Sequence, residues 1–313
     1  MFGKSRRPAI AIERLDVADL HFADELPEGR LIDLPGRGTA FVRVADGPAG
    51  APTVLLLHGL MATADLNWSL AVPALARRFN VVAPDLRGHG RGLPTRRFNG
   101  EECADDLAAL VLALELGPVV VVGYSLGGLI AQHFVRRHPE LVSGLVLCAT
   151  ASRFDVPTGK GALRVLERAA RRVPEGVRRA VMLALLAPKS ARTERGRWLM
   201  SEVERHDTLA LLDAAAEAAT FDSRSWLGAS TCGAAVIVTQ NDMVVSPEAQ
   251  RDLARVLGRG FVFEMEGDHF ACVKRPYEFN ELLVAACAGA HARTPGAQGA
   301  RSDLIPKLKP QRD

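Results

Sequence analysis

Apolar residues in this chain follow two rhythms. "APTVLLLHG", "NVVAPDLRG", "PVVVVGYS", "VSGLVLCAT" and "GAAVIVTQND" each hold a short continuous apolar run that stops at glycine or polar residues. A strand wetted on one face alternates apolar with polar. An unbroken run suits a strand covered on both faces, as in a parallel sheet. "FVFEMEGDHF" reads as a further strand that ends in a loop. Between these runs the spacing turns helical: "NWSLAVPALARRF", "GEECADDLAALVLALELG", "LGGLIAQHFVRRHPE", "SPEAQRDLARVL" and "RPYEFNELLVAACAGA". The second of these crowds acids into its first turns, where the helix dipole favours them, and Gly117 is its expected stop. Pro139 is the expected stop of the third. Upstream, "RLIDLPG" and "TAFVRVADG" read as a hairpin. Strand–helix alternation of this kind defines an α/β fold, a parallel sheet with helices on both faces.

Residues 152–228 break the alternation. They hold no buried strand pattern, only helical stretches at 160–173, 176–187, 193–205 and 208–220. The expected organisation is therefore an irregular lead-in over 1–29, an α/β core over 30–151 and 229–291, a helical insertion over 152–228, and a disordered tail over 292–313. The tail is polar and rich in proline and glycine. Twelve arginines and two lysines against ten acids make the insertion only slightly basic, which suits a solvated helix surface.

Composition narrows the picture mainly by exclusion. The 313 residues are 48% hydrophobic and carry a formal charge of +3, enough for a full core and too mild for a nucleic-acid surface. Five cysteines without a CxxC pair give neither a disulfide framework nor a zinc site, and point to a reducing, cytoplasmic setting. The N-terminus lacks the long apolar core of a signal peptide. Residues 116–135 are apolar enough to suggest a membrane span, but Gly117, Pro118, Gly123, Gly127 and Gly128 interrupt them. Only 5% of residues are aromatic and no long apolar stretch remains, which argues against a lipid-surface lipase. Nothing in the pattern specifies an oligomeric state.

The chemistry centres on Gly123-Tyr124-Ser125-Leu126-Gly127. It follows a buried strand and opens a helix, the setting of a nucleophile elbow. So sharp a reversal strains the serine backbone, and the two flanking positions favour glycine. Serine needs a base, and the base needs an orienting acid. His269 and Asp242 each follow a strand, in the expected order, with Asp155 a rival for the acid. The Leu126 N–H at the helix start and the Leu60 N–H after "LLLHG" are candidate donors to an oxyanion. Asp85 reads as a loop brace that accepts backbone N–H groups. His58, His89, His133 and His138 read as structural, and His21, His206 and His291 have no context. Phe154, Trp198, Phe221, Trp226, Met182 and Met200 line an acyl pocket or form the insertion's own core.

"HGL", "DLRGHG", "GYSLGG", the Asp242 loop and the "GDH" loop, in this order, resemble the α/β-hydrolase superfamily, and more narrowly its cap-bearing serine esterases. The resemblance spans roughly 30–290 outside the insertion. It implies an eight-stranded, mostly parallel sheet with an antiparallel second strand, and a cap over the active site. It also implies Ser125 as nucleophile, His269 as base, Asp242 as its partner, and Leu60 and Leu126 as oxyanion donors. No cofactor and no metal are implied. The partner is a small acyl substrate: an ester, thioester or lactone. A cofactor-free perhydrolase, a C–C bond hydrolase or an acyltransferase would use the same triad, and a non-catalytic ligand-binding member is a further alternative. Members that open epoxides or remove halide carry aspartate at the elbow, where this chain has Ser125.

Overall fold

A computed structural model describes residues 19–154, 160–186, 192–258 and 260–295. Eight strands form one sheet: β1 (Glu28–Leu34), β2 (Gly38–Ala45), β3 (Thr53–Leu57), β4 (Asn80–Pro84), β5 (Val119–Tyr124), β6 (Val142–Cys148), β7 (Ala234–Thr239) and β8 (Phe261–Met265). Their order is β1-β2-β4-β3-β5-β6-β7-β8. β2 runs antiparallel to both β1 and β4, and β3 to β8 are mutually parallel.

The unbroken apolar runs are explained by the two faces of this sheet. Leu55, Leu57, Val121, Leu145, Leu147, Val236 and Val238 pack into one layer, with residues of α3 (Gly100–Ala113), α4 (Leu126–Arg137) and α9 (Pro247–Leu257). Their strand neighbours Val54, Leu56, Val120, Val122, Val146 and Ile237 pack into the opposite layer. That layer is closed by α1 (Ala64–Trp68), α2 (Ala71–Ala76), α10 (Ala271–Lys274) and α11 (Pro276–Arg293). Alternate residues point to opposite faces, and each face meets helices, so both sets of positions are mostly apolar.

Three boundaries differ from the pattern-based expectation. The single helix expected around Pro73 is two short ones, α1 and α2. Proline cannot donate to the carbonyl four residues back, and its ring collides with it, so the chain must restart near Ser69. α3 stops at Ala113 rather than at Gly117, because Glu115 already takes a left-handed φ of 52°. α11 continues to Arg293, past the expected start of the tail, because no breaker precedes Pro295. Residues 1–18, 296–313 and the rival acid Asp155 lie outside the described residues.

Between β6 and β7 stand α5 (Lys160–Ala170), α6 (Glu175–Leu186), α7 (Glu194–Glu204) and α8 (Thr208–Ala218). α8 packs inward and buries Ala210, Leu211, Ala214 and Ala216. Polar contacts join this segment to the core. The buried Glu202 of α7 accepts from Thr63 Oγ1 at 2.9 Å and from Arg91 at 3.4 Å. His206 Nδ1 accepts from the Gly90 N–H at 3.0 Å, and Glu217 accepts from the Gly100 N–H at 2.8 Å. α5 and α6 are different: among their described residues no apolar side chain is buried. Among the described residues, no helix is long and apolar enough to cross a membrane.

Candidate active site

Ser125 stands where β5 turns into α4, with φ 51° and ψ −115°. That backbone is strained for any residue with a side chain, at a cost of about 1–3 kcal/mol. The glycines around it make the turn possible, each in its own way. A Cβ on Gly123 would lie 2.3 Å from the Gly127 carbonyl oxygen. A Cβ on Gly127 would lie 2.2 Å from the Leu57 carbonyl oxygen, so this glycine clears the end of β3. A Cβ on Gly128 would strike Thr150 at 2.4 Å. Thr150 is needed there: its hydroxyl donates to the Ser125 carbonyl at 2.8 Å, while the Ser125 N–H donates to the Cys148 carbonyl at 3.0 Å.

The structure brings Ser125, His269 and Asp242 together. His269 Nδ1 lies 2.7 Å from Asp242 Oδ2, and His269 Nε2 lies 2.9 Å from Ser125 Oγ. An ionised carboxylate only accepts, so Nδ1 carries the proton and Nε2 is left to accept from the serine. Asp242 is fully buried as a side chain, and His269 is 13% exposed. Four further donors hold the aspartate. Oδ1 accepts the N–H groups of Val244 and Val245, both at 2.8 Å. Oδ2 accepts from Thr239 Oγ1 at 2.9 Å and from Gln250 Nε2 at 3.2 Å. Tyr124 donates its hydroxyl to the His269 carbonyl at 2.9 Å, which ties the histidine loop to β5.

Leu126 opens α4, so its N–H has no partner within the helix. The loop after β3 reaches the same place: a Cβ on Gly59 would sit 3.4 Å from the Ser125 Cβ, and half-buried Leu60 follows. Met61 takes a φ of 58°, which turns this loop sharply. Buried Asn67 braces it. Its Oδ1 accepts the Gly59 N–H at 2.9 Å, and its Nδ2 donates to Cys272 Sγ at 3.3 Å, three residues past His269.

Asn67, Thr239, Gln250 and Thr150 were missed by sequence reasoning, and no local signal marks them. His206 was also missed. It joins His58 and His89 in a buried row, with ring centroids 5.3 and 5.5 Å apart. Burial, with another ring of the row, lowers the pKa of His58 to about 4 and those of His89 and His206 to about 3. His58 donates from Nδ1 to the Gly59 carbonyl at 2.8 Å and accepts the Leu86 N–H on Nε2 at 2.9 Å. Asp85 accepts the N–H groups of Ala64 at 2.8 Å and Arg91 at 2.9 Å. The insertion's aromatic residues do not gather in one pocket. Phe221 and Trp226 pack on His133 of α4, Phe154 meets Phe221, and Trp198 stacks edge-on with Phe22 at 4.9 Å. Met182 and Met200 are half-buried.

An eight-stranded, mostly parallel sheet with serine, histidine and aspartate meeting at its carboxyl edge is the architecture of a hydrolytic α/β enzyme. The profile of the alpha/beta hydrolase fold matches residues 52–276, and the chain belongs to that family. It is 33% identical over 249 residues to the pimeloyl-[acyl-carrier protein] methyl ester esterase of Chromobacterium violaceum, across 74% of this chain and 93% of that protein. A thermophilic esterase from Thermogutta terrifontis superposes with a TM-score of 0.62 at 28% identity, over 82% of this chain and 96% of that one. The enol-lactonase of Burkholderia xenovorans LB400 shares the fold, with a TM-score of 0.67 at 23% identity, over 82% of this chain and 98% of that one.

Proposed function

We propose that this hydrolase cleaves a small carboxylic ester, thioester or lactone through an acyl-enzyme on Ser125. The observation that carries this is His269, seated between Asp242 at 2.7 Å and Ser125 at 2.9 Å on a strained strand-to-helix turn. Ser125 Oγ attacks the carbonyl carbon as its proton passes to His269 Nε2. Asp242 stabilises the resulting imidazolium and fixes its orientation. The negative charge moves onto the carbonyl oxygen, where the N–H groups of Leu126 and Leu60 receive it. The tetrahedral species then collapses. The alcohol leaves with the proton from His269, and water repeats the sequence in reverse to free the acid.

The relatives named as esterases support the ester class. No step calls on a metal or cofactor. In this reading the helices between β6 and β7 form the cap that selects the acyl group. The test is a fluorophosphonate probe followed by peptide mass spectrometry, alongside turnover of p-nitrophenyl butyrate. A single adduct at Ser125, with turnover lost in Ser125→Ala, is expected. No adduct at Ser125 on folded protein would reject the covalent mechanism.

A further inference from the structure

α5 and α6 leave large aliphatic side chains in water. An amphipathic helix normally turns its apolar stripe inward and its charges outward. Here Glu167 of α5 is buried while Val165 and Leu166 are 65% and 53% exposed. In α6, Arg178 turns inward to donate to Thr208 Oγ1 at 3.0 Å. On the same helix Val177, Val181 and Leu185 are 51%, 53% and 75% exposed. Ala180 and Ala184 are exposed beside them. These five positions follow the i, i+3, i+4, i+7, i+8 spacing of an apolar stripe, and the stripe faces solvent.

Charge says what the stripe meets. Six arginines stand between residues 163 and 185, against Glu167 and Glu175. Glu167 is already engaged by Arg171, and Glu175 by Arg179. Arg164 and Arg168 are exposed on α5 and make no ion pair among the described residues. A second copy docked symmetrically on this face would set arginines against arginines. A partner helix would need a groove, whereas the exposed apolar side chains of α6 form a stripe along one helix. An aliphatic ridge flanked by arginines fits a flat anionic surface, with the aliphatic side chains below the headgroups and the guanidinium groups among them.

We infer that α5 and α6 form a docking surface for an anionic lipid membrane, on which the protein rests without spanning it. This goes beyond the proposed chemistry and stands without it. Four of the exposed positions lie within the apolar run 180–187, where the sequence alone does not tell the buried side of a helix from the exposed one.

Vesicle flotation tests the inference. The full chain is expected to float with phosphatidylcholine vesicles containing phosphatidylglycerol and to stay behind with pure phosphatidylcholine. Raising the salt should weaken the binding. Arg164→Gln and Arg168→Gln should each weaken partitioning roughly fivefold. Val181→Asp with Leu185→Asp should abolish it, and thermal melts of all variants should match the parent. Failure to float with either vesicle overturns the proposal, as does equal binding to both or indifference to these variants. Retention on polyglutamate without vesicle binding gives the surface to an acidic protein and overturns it too. So does a dimer that Leu185→Asp dissociates.

Discussion

The central sheet and the α5–α6 pair obey opposite rules. In the sheet, both faces of β3, β5, β6 and β7 are buried, and Thr239 at the end of β7 hydrogen-bonds Asp242. In α5 and α6 the described apolar side chains are not buried, while a glutamate and an arginine turn inward. Burying an aliphatic side chain is worth about 1.5–3 kcal/mol, so the sheet is held by many such gains. The helical pair must rely on polar contacts and on α8 beneath it. A region held that way opens at lower cost than a buried sheet. The sheet can therefore fix distances at Ser125, while the outer helices are free to adapt to what lies against them.

The largest expected effect falls on the sheet's carboxyl edge. Ser125→Ala should lower ester turnover by about 10⁴-fold or more, and Asp242→Asn by about 10⁴-fold. The folded structure should survive both, as judged by circular dichroism. Comparable turnover in Ser125→Ala would move the chemistry away from the sheet and dissolve the contrast. Gly127→Ala comes next. Its new Cβ would lie 2.2 Å from the Leu57 carbonyl oxygen, which belongs to a buried strand that cannot give way. A loss of about 3 kcal/mol in urea unfolding is expected.

The same contrast explains what could be read in the sequence. Ser125 and Asp242 could be picked out because each follows a continuous apolar run, and His269 because it follows the strand-like 261–265 segment; the order of the strands sets the order of the loops. The split of α1 from α2 was legible in principle from Pro73. The clamp of Asn67 on Gly59 and Cys272 was not, since its partners lie 8 and 205 residues away and carry no periodicity. His206 was equally silent, because a lone histidine between two helices looks the same whether buried or wet. Gly127 was read only as a position beside the elbow that favours glycine, and the strand it clears lies far off in sequence. The exposed stripe of α6 escaped because amphipathic spacing reveals a stripe without revealing which side faces water.

The seam between the two regions should show in the acid range. His58, His89 and His206 have folded pKa values lowered by burial to about 4, 3 and 3. Unfolded histidine titrates near 6.5, so the unfolded chain takes up protons first as pH falls. The stability from each neutral histidine is therefore present above about pH 6.5 and is lost progressively down to its folded value. Each contributes about 1.4 kcal/mol per pH unit across that window. His206→Asn keeps an acceptor for the Gly90 N–H and removes one titrating ring. Its unfolding free energy, measured from pH 6 down to 4.5, should fall less steeply than the parent's by about that amount. Parallel slopes would mean that water reaches His206 and that the seam is open in solution.

The smallest effect is the one that separates the regions most cleanly. Gly176 lies in the first turn of α6, and a Cβ added there would meet nothing within 4 Å. Gly176→Ala should stabilise the helix by up to about 1 kcal/mol, since alanine has less backbone freedom to lose. If the outer helices open separately from the sheet, that gain appears as slower hydrogen exchange in α6 alone. The global unfolding free energy then stays unchanged, because the sheet unfolds in a later step. If helices and sheet unfold together, the same gain appears in the global value and protects β5 and β6 equally. Gly127→Ala gives the converse, a loss that must appear globally because the sheet has no cheaper way to open.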